Sequence, residues 1–501
     1  MAIASDKILK YEPVIGLECH VELKTVSKMF CGCKNEFGGE PNTRVCPVCL
    51  GLPGALPVPN KKAIELTIKA GLAFGCDIPQ FSKFDRKNYF YPDMPKDYQI
   101  SQYDMPLCKG GNVLFWLEND ERRHCRLNRI HLEEDTGKST HAGSADGRLS
   151  GSSYSLVDFN RAGVPLMECV SEPDLRSAEE AVGYLEALKR TFVQLGISDV
   201  KMEEGSLRCD ANVSLRPVGS TELGTKTEIK NMNSFRSVRL AIEKEIERQR
   251  GILESGGRVI QETRGWDESA GDTHSQRSKE EAHDYRYFPD PDLSPLEFSP
   301  GWIDGIKKSL PATPYSKYAH YVDDLKMPSR RAAQLVDAPY LSDLFDIVTT
   351  RHDNPPQPIS FMNFLLGDVA QKMNELGLSG PPEGVSSLWS VPASGAAFVN
   401  LLDNGTITSK AAKDLFPRVW SGEVLTVDVI EAEGLGQVSN RDEIKRFVDD
   451  VIANNADTVA EIRKGKDRAL QFLLGQVMKA SRGKANPAMV SELLREAIGS
   501  G

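Results

Sequence analysis

Four thiols stand close together near the start of the chain, where Cys31-Gly-Cys33 is followed by Cys46-Pro-Val-Cys49. A C-x-C and a C-x-x-C pair joined by a glycine-rich connection can close a tetrahedral site around one Zn²⁺. With no further ligand or base nearby, the spacing predicts a structural ion. The other reading, a redox pair at Cys46 and Cys49, requires a thioredoxin-like βαβ pattern that the flanking sequence lacks. Just upstream, V-I-G-L-E-C-H-V-E-L-K (14–24) alternates as a half-buried strand does. Ile15, Leu17, Cys19, Val21 and Leu23 fall on one face, and Gly16, Glu18, His20 and Glu22 on the other. Side chains two apart lie about 6–7 Å from one another, so the carboxylates and the imidazole can share one or two hard cations.

The same pattern recurs in S-L-R-C-D-A-N-V-S-L-R, where Arg208, Asp210, Asn212 and Ser214 alternate with Cys209, Ala211 and Val213. G-T-K-T-E-I-K places Lys226, Glu228 and Lys230 on one face, and L-N-R-I-H-L-E-E-D ends in Glu133, Glu134 and Asp135. Acids, a histidine and cations mingled mid-strand suit a metal-bound polyphosphate, with carboxylates on Mg²⁺ and cations on phosphate oxygens. A solvent-facing antiparallel sheet is the plainer alternative for any one strand. E-D-T-G-K-S-T (134–140) ends like a phosphate loop, but that motif needs glycine at position 132, which is Leu132. Lys138 and Ser139 are left as a phosphate contact or a surface turn. No Ser or Cys nucleophile is recognisable; G-S-S at 151–153 lacks the context of an amidase serine.

The elements that must carry these groups divide near residue 295. Before it, short alternating segments, glycine and proline predominate. After it, apolar residues take helical spacing: Ile444, Phe447, Val448, Val451 and Ile452; Leu470, Leu473, Leu474, Val477 and Met478; Val490, Leu493, Leu494, Ala497 and Ile498. Three packed helices are expected, the last capped by Asn486 with Pro487 in its first turn. The stretch 382–396 reads as a connection. At 501 residues the chain exceeds one ordinary core. It has no run of 18 apolar residues, and M-A-I-A-S-D-K-I-L-K lacks the apolar core of a signal peptide, so a cytoplasmic location and no membrane are expected. The other six of the ten cysteines, Cys19, Cys76, Cys108, Cys125, Cys169 and Cys209, read as small core residues. A formal charge of −10 argues against a general nucleic-acid binder. The exception is local: Arg463, Lys464, Lys466, Arg468, Lys479, Arg482 and Lys484 stand against Glu461 and Asp467 alone, which suits a grip on an RNA backbone.

Taken in order, V-I-G-L-E-C-H-V-E-L-K, S-K-F-D-R-K-N-Y-F-Y-P-D, H-L-E-E-D-T-G-K-S-T-H, D-V-K-M-E-E-G-S-L-R-C-D-A-N, K-N-M-N-S-F and D-Y-R-Y-F-P-D-P-D resemble the motif series of the B subunits of the aspartyl/glutamyl-tRNA amidotransferase family. The stretch L-L-G-Q-V-M-K-A-S resembles that family's C-terminal YqeY-like domain. The resemblance implies an α+β fold: a cradle with an antiparallel sheet, similar to the glutamine synthetase and guanidino kinase catalytic fold, over 1–295 with a zinc-binding insertion at about 28–55. A helical domain over 296–429 and a three-helix YqeY-like subdomain over 430–501 would follow. It implies ATP-dependent phosphorylation of the side-chain carboxylate of Glu on tRNA(Gln) or Asp on tRNA(Asn). Amidation by ammonia from a glutaminase A subunit would come next, with a small C subunit to complete a heterotrimer. Glu18, His20, Glu134, Glu168, Asp210 and Glu228 would hold Mg²⁺. Lys87 and Tyr91 would stand near the ammonia route and the reaction site, and Arg208, with Lys138 and Ser139, near the phosphates of ATP, although a structural salt bridge is an equal reading of Arg208. Two other classes compete: a stand-alone metal-dependent carboxylate-amine ligase or kinase acting on a small molecule, and a non-catalytic zinc-ribbon RNA-binding protein.

Overall fold

The computed structural model describes residues 10–143, 152–278, 285–378, 380, 387–437, 440–463, 468–481 and 483–499. The protein is mixed α+β and divides into two compact units, Met1–Lys317 and Tyr318–Gly501.

Among the described residues of the first unit, nine strands form one sheet: β1 (Tyr11–Glu22), β2 (Cys108–Lys109), β3 (Asn112–Trp116), β4 (Arg122–Glu134), β5 (Pro165–Ser171), β6 (Leu207–Pro217), β7 (Thr227–Met232), β8 (Glu262–Asp267) and β9 (Asp272–Ser278). Their order is β9-β8-β7-β6-β1-β5-β4-β2, with β3 also paired to β4. Every pairing is antiparallel except that of β7 with β8. The alternating segment at the N-terminus is the central strand. Its apolar face packs beneath helices α1 (Lys61–Ala73), α2 (Ala178–Gln194) and α3 (Phe235–Glu254), joining Leu17, Cys19 and Val21 to Ile68, Tyr184, Leu188, Phe192 and Ile242 in one core.

Each helix starts where its sequence supplies a cap. Asn60 Oδ1 accepts from the amides of Lys62 and Ala63. Ser177 Oγ accepts from Glu180 N while the Glu180 carboxylate accepts from Arg176 N, and Ser234 Oγ accepts from Ser237 N. These side chains satisfy amides that have no partner within the helix. In α2, Gly183 lets the helix backbone settle onto Phe115 of β3, since a Cβ there would lie 2.9 Å from the ring. Beyond residue 295 the chain still belongs to this unit: Phe298 and Ile306 are buried in its core, with Trp302 against it.

The second unit is helical. A chain of aromatic contacts runs Tyr321, Phe345, Phe361, Phe364, Phe398, with ring centroids 5.1–6.2 Å apart. Of the stretch 382–396, residues 382–386 lie outside the described residues, and the rest belongs to a helix, Ser387–Asp403. Burial of Ala396, Phe398 and Val399 offsets the cost of Pro392 within that helix, so the stretch from 387 on is not the connection its sequence suggests. Four helices, α4 (Arg441–Asn454), α5 (Ala456–Arg463), α6 (Arg468–Ala480) and α7 (Pro487–Gly499), close the chain around Ile444, Val448, Leu473, Val477, Val490 and Leu494. The additional helix, α5, contributes only Val459 and Ile462 to that core, too short an apolar record to show as a period. Asn486 caps α7 as its sequence predicts, accepting from Ala488 N and Met489 N. Lys464, Lys466, Asp467 and Arg482 of the basic stretch lie outside the described residues, as do the side chains of Arg463 and Arg468. Lys479 is exposed, and Lys484 Nζ donates to Gly434 O.

Candidate active site and thiolate cluster

The register of the sheet decides which polar side chains meet. His20 of β1 lies opposite Glu168 of β5 on one side and Arg208 of β6 on the other, and Glu168 in turn lies opposite His131 of β4. Two residues along, Glu22 faces Leu166, which faces Glu133. Directly opposed residues share a face, so these side chains gather on the face away from α1–α3. His20 Nε2 lies 3.6 Å from Glu133 and 3.5 Å from Glu168, and His131 Nε2 lies 3.5 Å and 3.1 Å from the same two carboxylates. The ligating atoms of His20, Glu133 and Glu168 all lie within 4.8 Å of one another.

Burial and mutual attraction compete here. Burial opposes charge on both imidazoles, but Glu168 and Glu133 outweigh it, raising His20 and lifting His131 to about 9. Both carboxyls are correspondingly held below their ordinary range against the effect of burial, Glu168 by the two histidines and Glu133 chiefly by His131. Lys87 remains a cation despite burial because it faces Glu133 and Glu168, and its Nζ sits 5.0 Å over the ring of Tyr285.

Of these groups, His20, Glu133 and Lys87 line a cleft of about 720 Å³, whose walls include Tyr89, Phe90, Tyr91, Asp135 and Arg208. Arg208 Nη2 donates to Asp135 at 2.6 Å, and Arg161 Nε lies 3.5 Å from the same oxygen. Burial, then the neighbouring Asp135, pushes the Glu22 carboxyl up to about 7. Lys138 and Ser139 sit on a hairpin, Lys138–Ala142 paired with Tyr154–Asp158, and neither lines the cleft.

Glu18, Asp210 and Glu228 form a second group around Lys230. Lys230 Nζ lies 2.6 Å from Asp210 and 3.4 Å from Glu228, while Asn212 Nδ2 donates to Glu18 Oε1 at 2.9 Å. Glu134 joins neither group. Its carboxylate pairs with Lys96 and accepts from Ile100 N at 3.0 Å, on the opposite side of β4 from Glu133. The period-two rule applied to I-H-L-E-E would have assigned His131 and Glu133 to the polar face, and Glu134 to the face of Ile130 and Leu132. His131 is the residue that sequence reasoning missed, for want of that count, and the meeting of Glu133 with Glu168 depends on the cross-strand register.

The Sγ atoms of Cys31, Cys33, Cys46 and Cys49 also lie within 4.8 Å of one another. A hydrogen bond from Cys31, helped by the amide of Cys46 and by Lys28, holds the Cys49 thiol down to about 5. Its partner Cys31 is pushed up, and Cys33 rises to about 11 through burial and contact with Cys46. Four sulfurs at this spacing match the donor set of a closed tetrahedral Zn²⁺ site. The cluster shares a small cavity with Lys96 and Glu134.

Comparison with known proteins gives consistent relatives. The pattern of the GatB/GatE catalytic domain family matches residues 13–304, and that of the GatB domain family matches 343–498. The B subunit of the aspartyl/glutamyl-tRNA(Asn/Gln) amidotransferase from Geotalea daltonii is 50% identical over 489 residues, 97% of this chain and 99% of the relative. Proteins of the same name from Thermoanaerobacter sp. (strain X514) and Moorella thermoacetica are each 48% identical, over 98% of this chain and 100% of the relative. No helix among the described residues is long and apolar enough to cross a membrane.

Proposed function

The chain belongs to the family of aspartyl/glutamyl-tRNA(Asn/Gln) amidotransferase B subunits, and from that premise we propose that its cleft amidates Glu on tRNA(Gln), Asp on tRNA(Asn), or both. The observation that carries the reading is the meeting of His20, Glu133 and Glu168 beside a cleft lined by His20, Glu133, Lys87 and Arg208. A carboxylate is a poor acyl donor because its leaving group would be oxide. Transfer of the terminal phosphoryl group of ATP to one carboxylate oxygen makes phosphate the leaving group instead. Ammonia then attacks the acyl carbon, the C–O bond to phosphate breaks, and nitrogen loses a proton as the amide forms.

His20, Glu133 and Glu168 offer an imidazole and two carboxylates, a donor set that fits Mg²⁺, with Glu18, Asp210 and Glu228 as a second acidic group on the same face. Bound there, Mg²⁺ would offset charge on the phosphoryl group. Lys87 supplies a cation between the carboxylates and the substrate space, and Arg208, fixed by Asp135, offers a second to phosphate oxygens. Glu133 takes the part that the resemblance gave to Glu134. The thiolates of Cys31, Cys33, Cys46 and Cys49 would hold Zn²⁺ as a structural ion. We read the open sheet face as a cradle of the glutamine synthetase and guanidino kinase kind. The work is divided with a glutaminase A subunit, together with a small C subunit, in the cytoplasm, because this sequence offers no glutaminase nucleophile.

The test is amidation of misacylated tRNA by the assembled complex. His20→Ala and Glu133→Ala should each lower transamidation on the order of 10²-fold or more, with glutamine hydrolysis by the partner retained. Wild-type rates in both variants, or ATP turnover that ignores misacylated tRNA, would refute the reading.

A further inference from the structure

The segment following the strand Asp85–Asn88 puts aromatic rings where water can reach them. Phe90 is 69% exposed and Tyr91 42%, although both line the cleft. The segment is held in place. Asn88 N donates to Tyr285 O at 3.1 Å, the Asn88 side-chain amide donates to Tyr285 O and Arg286 O at 3.0 and 2.8 Å, and Tyr89 N donates to Asp97 O at 3.1 Å. The rings of Tyr89 and Tyr91 are parallel within 5° at 5.9 Å. Exposure rises from Glu133 at the floor, 2% exposed, to Phe90 at the mouth. Phe90 and Tyr91 together present exposed rings in the lining of a polar cleft, a surface that a flat apolar group can cover.

Building on the transamidation reading above, the chemistry of the substrate says what that is. The side-chain carboxylate must reach Lys87 and Glu133, and the amino acid is esterified to the ribose of the last nucleotide. One sugar therefore separates the group on the floor from an unpaired purine. A small nucleotide such as ATP can enter the cleft whole, whereas the RNA strand must leave through the mouth, so the purine of the strand is the ring that crosses the rim. We infer that Phe90, which lies in the chain between the stacked Tyr89 and Tyr91, is the platform on which the 3′-terminal adenine of the aminoacyl-tRNA stacks. Sequence plays little part in such a contact, because every base presents a π face. The platform thus suits one site that accepts more than one tRNA with the same single-stranded end.

The experiment uses the complete complex and misacylated tRNA carrying 2-aminopurine in place of the terminal adenine. Stacking should quench its fluorescence on wild-type protein. In Phe90→Ala the quench should vanish and KM for misacylated tRNA should rise about tenfold or more, with kcat and KM for ATP within about twofold of wild type. Phe90→Trp should restore both the quench and the KM. A rise in KM for ATP with the tRNA KM unchanged would assign the ring to the adenine of ATP and overturn the inference. So would normal quenching and normal constants in Phe90→Ala. Failure of the wild-type complex to amidate any misacylated tRNA would instead overturn the transamidation reading itself.

Discussion

Lys28 is fully buried, and its ammonium group is held by Arg44 O at 2.8 Å, Phe159 O at 3.3 Å and Cys49 Sγ at 3.8 Å. It is a cation beside a set of thiolates whose combined negative charge Zn²⁺ would offset only in part. Lys28→Met removes that charge and leaves two carbonyls without their donor, so the variant should lose zinc to a chelator at least tenfold faster and lose about 3 kcal/mol of stability. Metal analysis during a chelator time course checks the first, and denaturant unfolding the second. A different residue reports on the cleft. In the folded protein His131 holds its proton up to about 9, against 6.5 for an ordinary histidine. A basic group raised in this way stabilises the fold fully below pH 6.5 and loses that contribution as pH climbs through about 9. Metal-free protein should therefore unfold more readily at pH 9 than at pH 6.5, by on the order of 3 kcal/mol, and His131→Gln should flatten the difference. Calorimetry across that range decides it. The same group of residues shows what a sequence can reveal. His20 was legible because its strand alternates without interruption, whereas the partnership of Glu133 with Glu168 depends on register across β4, β5 and β1, which no single segment contains.

At the level of elements, α2 and α3 pose opposite cases of one substitution. Glycine inside a helix normally costs about 1 kcal/mol relative to alanine. At Gly251 of α3 a Cβ would meet nothing within 4 Å, so Gly251→Ala should stabilise the protein by roughly 0.5–1 kcal/mol. At Gly183 of α2 the Cβ would lie 2.9 Å from Phe115, which is fully buried and has nowhere to move. Overpacking of that kind costs roughly 1–3 kcal/mol and exceeds the helical gain, so Gly183→Ala should lower stability. Thermal unfolding of the two variants side by side gives the comparison, and equal shifts would disprove the packing argument. Strands β1 and β6 could be read from alternation, as could the last helix from its cap. The short strands Asp85–Asn88 and Tyr98–Ser101 could not, since four residues with polar groups on both sides carry no period. The parallel pairing of β7 with β8 was also hidden, because α3 separates them in the chain.

Across the whole molecule, the residues that line the cleft and those of the thiolate cluster all fall within the first unit. Removal of residues 430–501 should accordingly leave partner assembly and glutamine hydrolysis intact while raising KM for misacylated tRNA many-fold and flattening its dependence on salt. Kinetics at two ionic strengths test this, and a truncated protein as effective as the intact one would assign the tail another purpose. The ten cysteines follow the same division: all are free, and all lie between Cys19 and Cys209. Six of them, including the Cys19 and Cys209 pair with sulfurs 3.8 Å apart, are sealed in the core. An alkylating reagent applied to native protein would therefore react first at Cys31, Cys33 and Cys46, the three partly exposed thiols, and there only after their metal is withdrawn. The extent of labelling becomes a direct count of metal-free molecules. Because the helical second unit contains no thiol, one cysteine introduced there could carry a dye at a unique address.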